Sequence, residues 1–277
     1  MKLETRRREK IRVDKDDIKT GLTKVGLDLG SVVMVHSSLS SFGYVEGGAE
    51  TVIDALLETV GPNGTVAVPT FCWNPTGMEA GIEAIFDVTN TPVGKEIGII
   101  PEHFRRRKEA LRSRHICHSV AAIGPNAQYL MGDGISAYGP NSSFQRLHAM
   151  DSWNIFLGCD FNSCTALHMP EEYLKVPFRE YRDFKECKVI LEDDTQVSCL
   201  SVEFQRGPLV HDGYNLRKMG EVFKHEGILQ SCLVGEAKII NVRIKDIYEK
   251  TLKYLKQDPG FLLTPEARLQ VKAEYGI

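Results

Sequence analysis

Two short β-branched stretches, separated by an amphipathic helix pattern, constrain the fold of this chain more than any other feature. The stretch SVVMVHSS predicts a buried strand over residues 32–36, and GTVAVPTF predicts a second strand over residues 65–70. Between them, apolar residues recur at helical spacing and Gly61-Pro62 ends the pattern; these residues are Val52, Ile53, Leu56, Leu57 and Val60. A strand, a helix and a strand in this order form a βαβ unit, whose two strands run parallel.

Patterns further along the chain add elements to this unit. We predict a strand over residues 153–157 and helices near Pro101 and in CTALHMPEEYLKV. After residue 180, CKVILEDDTQVSCLSVEFQR alternates with period two around an acidic turn, which predicts an antiparallel hairpin. We therefore expect an α/β fold in one domain over residues 1–277, with a largely parallel central sheet flanked by helices and an appended antiparallel hairpin.

Composition narrows the class of protein. The net charge is −3, with 34 basic and 37 acidic side chains, so we do not expect nucleic acid as a partner. Residues 1–16 form a charge run that we interpret as a solvated arm or a first helical turn. The seven cysteines include no CxxC pair and no secretory signal precedes them, which indicates reduced thiols and a cytoplasmic protein. Since no apolar run is long enough to span a bilayer, we expect no membrane association.

The first candidate site follows the first predicted strand. The segment HSSLSS contains small hydroxyl residues where a strand ends and a helix approaches, a place where backbone N–H groups can hold phosphate. Its members are His36, Ser37, Ser38, Leu39, Ser40 and Ser41. A plain helix cap and turn is the alternative. Neither GxGxxG nor GxxxxGK[ST] occurs here.

The second candidate site is the stretch RSRHICHS, residues 112–119, which contains two arginines and two histidines. Arginines and histidines at this density could hold phosphate, and His115, Cys117 and His118 could suggest zinc. We do not expect zinc, because no second ligand cluster completes a set of four. A basic surface turn that runs into a strand is the alternative.

The third candidate site contains Thr165, His168 and Glu171, which are spaced three residues apart. On a helix these residues share a face. A carboxylate beside a histidine raises its basicity and selects its tautomer, and a nearby hydroxyl can donate to a substrate carbonyl. The three side chains are the parts of a general base with an orienting acid and a polarising donor. A capped helix with a half-buried structural histidine is the alternative.

These segments together resemble the aminoglycoside 3-N-acetyltransferases, also called antibiotic N-acetyltransferases, over residues 14–263. The similarity lies in the order and spacing of VVMVHSSLSSFG, GPNGTVAVPTF, FDVTNTPVGKEIGIIPEHFR, RSRHICHSVAAIGPNA, YGPNSSFQRLH, NIFLGCDFNSCTALHMPEE, VPFR and LKQDPGFLL. The resemblance implies an α/β fold distinct from the GNAT acetyltransferases. It also implies transfer of an acetyl group from acetyl-coenzyme A to an amine of an aminoglycoside or related antibiotic, with a role in antibiotic resistance.

The resemblance also implies roles for individual residues. His168 would be the general base, Glu171 would orient it, and Thr165 would hydrogen-bond the thioester carbonyl as it becomes an oxyanion. The HSSLSS segment would contact the pantetheine and phosphates of coenzyme A, and Arg112 and Ser119 would complete that site. No metal is implied.

The acceptor site is where the sequence departs most from the family. A pocket for a polycationic aminoglycoside should be acidic, and the candidates are Asp87, Glu102, Glu172, Asp212 and Glu221. Two loop positions also differ, since Ile116 and Ser143 stand where the family usually has proline.

Three alternatives to an aminoglycoside acetyltransferase stay open. One is an acyltransferase of the same fold that serves natural-product biosynthesis with another amine or acyl donor. Another is a metal-dependent hydrolase that uses His115, His118 and His168. The last is a coenzyme A-binding protein without turnover. In each case the expected partner is a small molecule, and the protein would be a monomer or a homodimer.

Overall fold

The computed structural model describes residues 11–73 and 84–277 of the chain. Its strands are β1 (Arg12–Val13), β2 (Val32–Ser37), β3 (Tyr44–Val45), β4 (Thr65–Pro69), β5 (Ala84–Asp87), β6 (Leu111–Arg112), β7 (Val120–Ile123), β8 (Trp153–Leu157), β9 (Arg179–Ile190), β10 (Gln196–Arg206), β11 (Gln230–Val234) and β12 (Ala237–Arg243). Its α-helices are α1 (Lys15–Lys24), α2 (Gly48–Val60), α3 (Ile99–Arg105), α4 (Ala127–Met131), α5 (Ser143–Ala149), α6 (His168–Leu174), α7 (Arg217–His225), α8 (Ile244–Gln257) and α9 (Pro265–Tyr275).

The predicted βαβ unit is confirmed. Strands β2 and β4 pair in parallel, with Val32 opposite Thr65, and α2 connects them. The first residues of the charged N-terminal segment lie outside the described residues, and its end forms β1 and the Asp14 cap of α1.

The central sheet is mixed, so the prediction of a largely parallel sheet is wrong. The described residues form a seven-stranded sheet in the order β11-β12-β8-β2-β4-β7-β6. Only the pairs β2–β8 and β2–β4 are parallel within it. Its outer pairs are hairpins, because residues 113–119 and the turn at Gly235 are too short for the crossover that a parallel connection requires.

The predicted hairpin is confirmed as β9 and β10, which pair antiparallel while β5 adds to β9 in parallel. Cys187 lies directly opposite Cys199 in this register, and the two form a disulfide with a Cα–Cα distance of 5.5 Å. The expectation that every cysteine is reduced is therefore wrong for this pair, because the cross-strand register brings the two sulfur atoms together.

The sheet has a core on each face, and strand alternation assigns side chains to them. On β2, Val33 and Val35 point to the core formed with α1 and α2, whereas Met34 points to the opposite core formed with α5 to α8. His36 follows Met34 with period two and stacks on Phe156 of β8, with ring centroids 5.4 Å apart. The alternation of β2 thus turns a histidine toward the face that carries α6.

In the part of the chain that the structure describes, no helix is long and apolar enough to cross a membrane.

Helix α2 offers a matched test of this packing. Leu56 is fully buried, whereas its neighbour Leu57 on the same helix is only partly buried. We expect Leu56→Ala to lower the free energy of unfolding by about 2–5 kcal/mol, because it leaves a cavity under the sheet. Leu57→Ala should cost clearly less. Urea denaturation of both variants checks this, and equal losses would contradict the assignment of the buried face.

Candidate functional site

His168 is the first residue of α6, and it forms a close pair with Glu171. A 3₁₀ turn over Thr165–Leu167 leads directly into the helix, and Pro170 is tolerated because the first helical turn needs no backbone donor. The i, i+3 spacing brings His168 Nδ1 to 2.6 Å from Glu171 Oε2. Glu171 is completely buried and His168 is nearly so.

Arg179 and Tyr214 complete the surroundings of Glu171, and sequence reasoning assigned neither of them a role. Arg179 Nη1 lies 2.8 Å from Glu171 Oε2 and 2.8 Å from His168 Nδ1. The Tyr214 hydroxyl donates to Glu171 Oε1 at 2.9 Å. Arg179 belongs to the quoted VPFR stretch, so that stretch was the available signal for it.

The end of α6 determines where Arg179 lies. Lys175 ends the helix in the left-handed conformation, at φ 50°, and its N–H bonds the last carbonyls of the helix. Only three residues then separate it from Arg179, the first residue of β9. The reversed chain therefore places the guanidinium back against the first turn of the same helix.

Charge and burial set the protonation states of His168 and Glu171. Burial would raise the pKa of Glu171, but Arg179, His168 and Tyr214 together lower it, so the carboxylate is ionised. Burial, followed by the positive charge of Arg179, lowers the pKa of His168 to about 4, against the opposing effect of Glu171. The imidazole is therefore neutral near pH 7 and able to accept a proton.

His168 and Thr165 line one cavity of about 270 Å³, with Glu171 behind the imidazole. Thr165 lies on the 3₁₀ turn rather than on α6 itself. Aromatic and polar residues complete the wall, among them His36, Phe71, Trp73, Tyr138 and Arg206. The structure thus brings the three predicted catalytic residues together.

A second cavity, of about 490 Å³, lies next to the first. Ser37, Glu96 and Ile97 line both cavities, and we call the two together the groove. Ser38, Leu39 and Ser40 line the second cavity together with Gly48 at the start of α2. The groove therefore runs from the end of β2 and the first turn of α2 to the imidazole of His168.

Most of the HSSLSS segment faces this groove. Among the described residues, Ser37 Oγ and the Nε2 atom of His36 have no hydrogen-bond partner although both are buried. Burial lowers the pKa of His36 to about 4, so its ring is neutral. Ser41 does not line either cavity, and its hydroxyl donates to Ser38 Oγ at 2.9 Å.

The structure does not bring Arg112 and Ser119 to the groove. Arg112 Nε lies 3.1 Å from Ser119 Oγ, and its terminal nitrogens donate to the carbonyls of Thr91 and Thr70 at 2.6 and 2.8 Å. Ser119 is completely buried and donates to the Thr70 carbonyl at 2.7 Å. Arg112 of β6 and Ser119 just before β7 form an internal brace with Thr70 at the end of β4, and their cofactor contact stays a prediction.

The predicted acidic residues do not converge. Asp87 accepts from the backbone of Thr89 and Asn90, while Glu102 pairs with Arg105 and Arg106. Glu172 accepts from Ser136 and Tyr181. Asp212 and Glu221 are exposed, outside the two cavities. Over residues 11–73 and 84–277, Glu96 is the only carboxylate that lines either cavity, and sequence reasoning missed it.

The histidines of RSRHICHS serve internal contacts. His115 Nε2 lies 3.1 Å from the Val202 carbonyl, and its Nδ1 accepts from the N–H of His118 at 3.0 Å. Both ring nitrogens of His115 are thus engaged by the protein. Within the described residues, no group of three or more histidine, cysteine, aspartate or glutamate side chains is arranged to hold a metal ion.

An α/β fold with a groove that ends at a neutral, carboxylate-paired imidazole is typical of enzymes. The chain matches the aminoglycoside 3-N-acetyltransferase family over residues 34–256, and it belongs to that family of acyltransferases. The fold and family predicted from the sequence motifs are therefore confirmed.

Three relatives illustrate the match. The chain is 36% identical over 180 residues to aminoglycoside N(3)-acetyltransferase VII of Streptomyces paromomycinus. The aligned region covers 60% of this chain and 62% of the relative, so the match spans less than two thirds of the relative's length. It is 29% identical over 246 residues to aminoglycoside N(3)-acetyltransferase IV of Salmonella sp, covering 88% of each. The crystal structure of a histidine-to-alanine mutant of AAC(3)-IVa in complex with a gentamicin is 27% identical, with a TM-score of 0.77 and coverage of 92% of this chain and 93% of that one.

The internal brace has its own test. Arg112→Ala should lower the free energy of unfolding by about 3 kcal/mol or more, because buried carbonyls and hydroxyls lose a charged donor. Arg106→Ala is the control, since that side chain is 67% exposed. Thermal and urea unfolding measure both. An Arg112 variant as stable as the Arg106 variant would contradict the brace.

Proposed function

We propose that this protein is an acetyl-coenzyme A-dependent N-acetyltransferase that acylates an amine by direct transfer, with His168 as general base. The observation that carries this proposal is the His168–Glu171 pair, buried and 2.6 Å apart at the end of the groove. A neutral imidazole in this position can remove the proton that an amine loses as it attacks the thioester.

The groove supports the donor end of this reaction. Ser37, Ser38 and Ser40 offer hydroxyls along the cavity that adjoins His168, in keeping with a polar pantetheine arm. The first turn of α2, at Gly48, offers free backbone N–H groups for phosphate. Acetyl-coenzyme A would therefore lie with its thioester toward Thr165, whose hydroxyl would donate to the carbonyl oxygen as negative charge develops there.

A covalent enzyme intermediate is disfavoured by the protonation state of the thiol that lines the cavity. Cys164 lines the cavity, but burial raises its pKa to about 12, so the nucleophilic thiolate is absent near pH 7. Direct attack of the amine on the thioester needs only the base and the carbonyl donor.

The acceptor is an aminoglycoside-like amine in this proposal, in keeping with the family and the relatives' names. Glu96 would attract its ammonium groups, since it borders both cavities. The second candidate is an acyltransferase of the same fold that serves biosynthesis with a different amine. The scatter of the carboxylates predicted from the sequence favours this second candidate, because a polycationic acceptor would be expected to meet several of them. The cytoplasmic location and the monomeric or dimeric state stay predictions.

The proposed base has a direct test. His168→Ala should lower kcat by about 10²–10⁴-fold, because the amine loses its proton acceptor. Thiol release from acetyl-coenzyme A, measured over a panel of aminoglycosides and simpler amines, gives the rates. Coenzyme A binding, measured by calorimetry, should be unchanged. His211→Ala is the control, as His211 lies on the surface.

Two outcomes bear on the proposal in different ways. Full turnover by the His168 variant would remove the general-base role. Turnover with simple amines alone, and with no aminoglycoside, would favour the biosynthetic alternative and leave the chemistry unchanged.

Glu96 has a separate prediction. Glu96→Gln should raise KM for a polycationic acceptor by about 10-fold, because one charged contact of about 1–2 kcal/mol is lost. The KM for acetyl-coenzyme A should not rise, because Glu96 also borders the donor cavity and loss of a negative charge there does not weaken the binding of an anionic donor. Steady-state kinetics with each substrate varied in turn provide the measurement, and Glu266→Gln, an exposed position on α9, is the control. An unchanged acceptor KM would refute the role of Glu96.

A further inference from the structure

We propose that Arg179 is a positioning residue for proton transfer: it fixes Glu171 against His168 Nδ1, so that Nε2 is the basic nitrogen, and it makes the imidazole release its proton readily after each transfer. This inference rests on the proposed function, because it concerns how His168 works as a base. The contacts of the Arg179 guanidinium carry it.

Three atoms form a tight triangle at the base of the cavity. His168 Nδ1 lies 2.6 Å from Glu171 Oε2, and Arg179 Nη1 lies 2.8 Å from each of these atoms. An imidazole nitrogen carries either a proton or a lone pair. A lone pair on Nδ1 would face a carboxylate oxygen at 2.6 Å and be repelled by it, whereas Nδ1–H can donate to that oxygen. Arg179 Nη1 lies 2.8 Å from Nδ1, but its proton has the carboxylate oxygen as acceptor at the same distance. We therefore assign the proton to Nδ1. The lone pair of the ring is then on Nε2.

Arg179 donates to Glu171 and therefore holds the carboxylate in the position that selects this tautomer. The guanidinium is itself fixed, because its Nη2 donates to the Phe204 carbonyl of β10. It also lies 4.9 Å from the centroid of the Phe204 ring and 5.8 Å from that of Tyr214. The triangle is thus held from β9, β10 and the segment before α7, and it does not depend on α6 alone.

The charge of Arg179 has a second effect, on the protonated ring. Six groups face His168 from the elements packed around it: Glu171, Arg179, Arg206, Tyr138, His118 and Tyr214. Only Glu171 is an anion among them, whereas two are cations. An imidazolium formed at His168 would have a cation 2.8 Å from Nδ1, and like charges this close disfavour it.

This disfavoured imidazolium suits a base that must be regenerated in every cycle. The amine nitrogen forms a bond to the acetyl carbon, and its proton moves to Nε2. The carbon–sulfur bond then breaks, and the electron pair leaves with sulfur. The proton passes from Nε2 to the thiolate, which yields free coenzyme A and a neutral imidazole. Arg179 favours the last step because it destabilises the charged ring.

A purely structural role for Arg179, as the counter-ion of Glu171, makes different predictions. Arg179→Gln would then reduce stability and activity without altering the titration of His168. In our proposal the same substitution removes a positive charge beside Nδ1 and raises the pKa of His168 by about one unit or more. Because activity is lost as the base becomes protonated, the acid limb of kcat/KM should move to higher pH by the same amount.

The experiment compares three variants by the thiol-release assay between about pH 3 and 9, a range that includes the His168 pKa of about 4. Arg179→Gln should shift the acid limb upward and lower kcat at its optimum by about 10-fold. Arg179→Lys keeps the charge but not the planar fork, so its acid limb should stay close to that of the wild type while kcat falls. Arg182→Gln is the matched control, since Arg182 is an exposed arginine on the same strand. Its profile should not change.

Two measurements that do not depend on activity complete the test, one for the tautomer of His168 and one for folding. In ¹⁵N-histidine spectra of the wild-type protein, His168, assigned by its loss in His168→Gln, should show the Nδ1–H tautomer at pH 7. Thermal melts identify which variants are folded.

The outcomes separate the two proposals. An Nε2–H tautomer in the wild type, or an unshifted acid limb in a folded Arg179→Gln variant, would overturn the role of Arg179 alone. Full turnover by His168→Ala would instead remove the general-base role on which the proposed function rests.

Discussion

The site depends on one buried charge. Glu171 is completely inaccessible to solvent, and an ionised carboxylate in such a place is strongly unfavourable unless donors surround it. His168, Arg179 and Tyr214 all contact its oxygens. They come from the start of α6, the start of β9 and the segment before α7, so satisfying this one carboxylate also fixes how three separate segments meet. The contacts that pack these three segments together therefore also set the geometry of the candidate site.

The central sheet supplies the other half of the site. Alternation on β2 sends Val33 and Val35 to one core and His36 to the opposite face, where His36 lines the same cavity as His168. The parallel pairing of β2 with β4 and β8 places the carboxyl end of β2 in the middle of the sheet. Open sheets bind ligands at such strand ends. The position of β2 in the sheet therefore places the HSSLSS segment at the groove, and this placement is what allows its hydroxyls to face a ligand.

Local patterns were sufficient for the parts of the structure that depend on neighbours in sequence. The βαβ unit, the hairpin and the His168–Glu171 pair follow from helical and strand periodicity and from one i, i+3 spacing. Arg179, Tyr214 and Glu96 reach the site by tertiary folding, and no local periodicity separates them from surface residues. The family motif did include Arg112 and Ser119, but it could not show that their side chains turn inward. The mixed sheet was missed because the direction of a strand depends on the length of the connection before it. The sequence pattern did not show where strands such as β6, β7 and β11 begin and end.

The short connection between α6 and β9 tolerates changes in length less well than the tip of the β9–β10 hairpin does. Successive strand residues point to opposite faces, so one residue added or removed between Lys175 and Arg179 would turn the guanidinium away from His168. The hairpin tip at residues 191–195 carries no such constraint, since it lies at the far end of both long strands from the site. Length variation in a chain of this kind should therefore accumulate at the tip, while the short connection after α6 keeps a fixed number of residues.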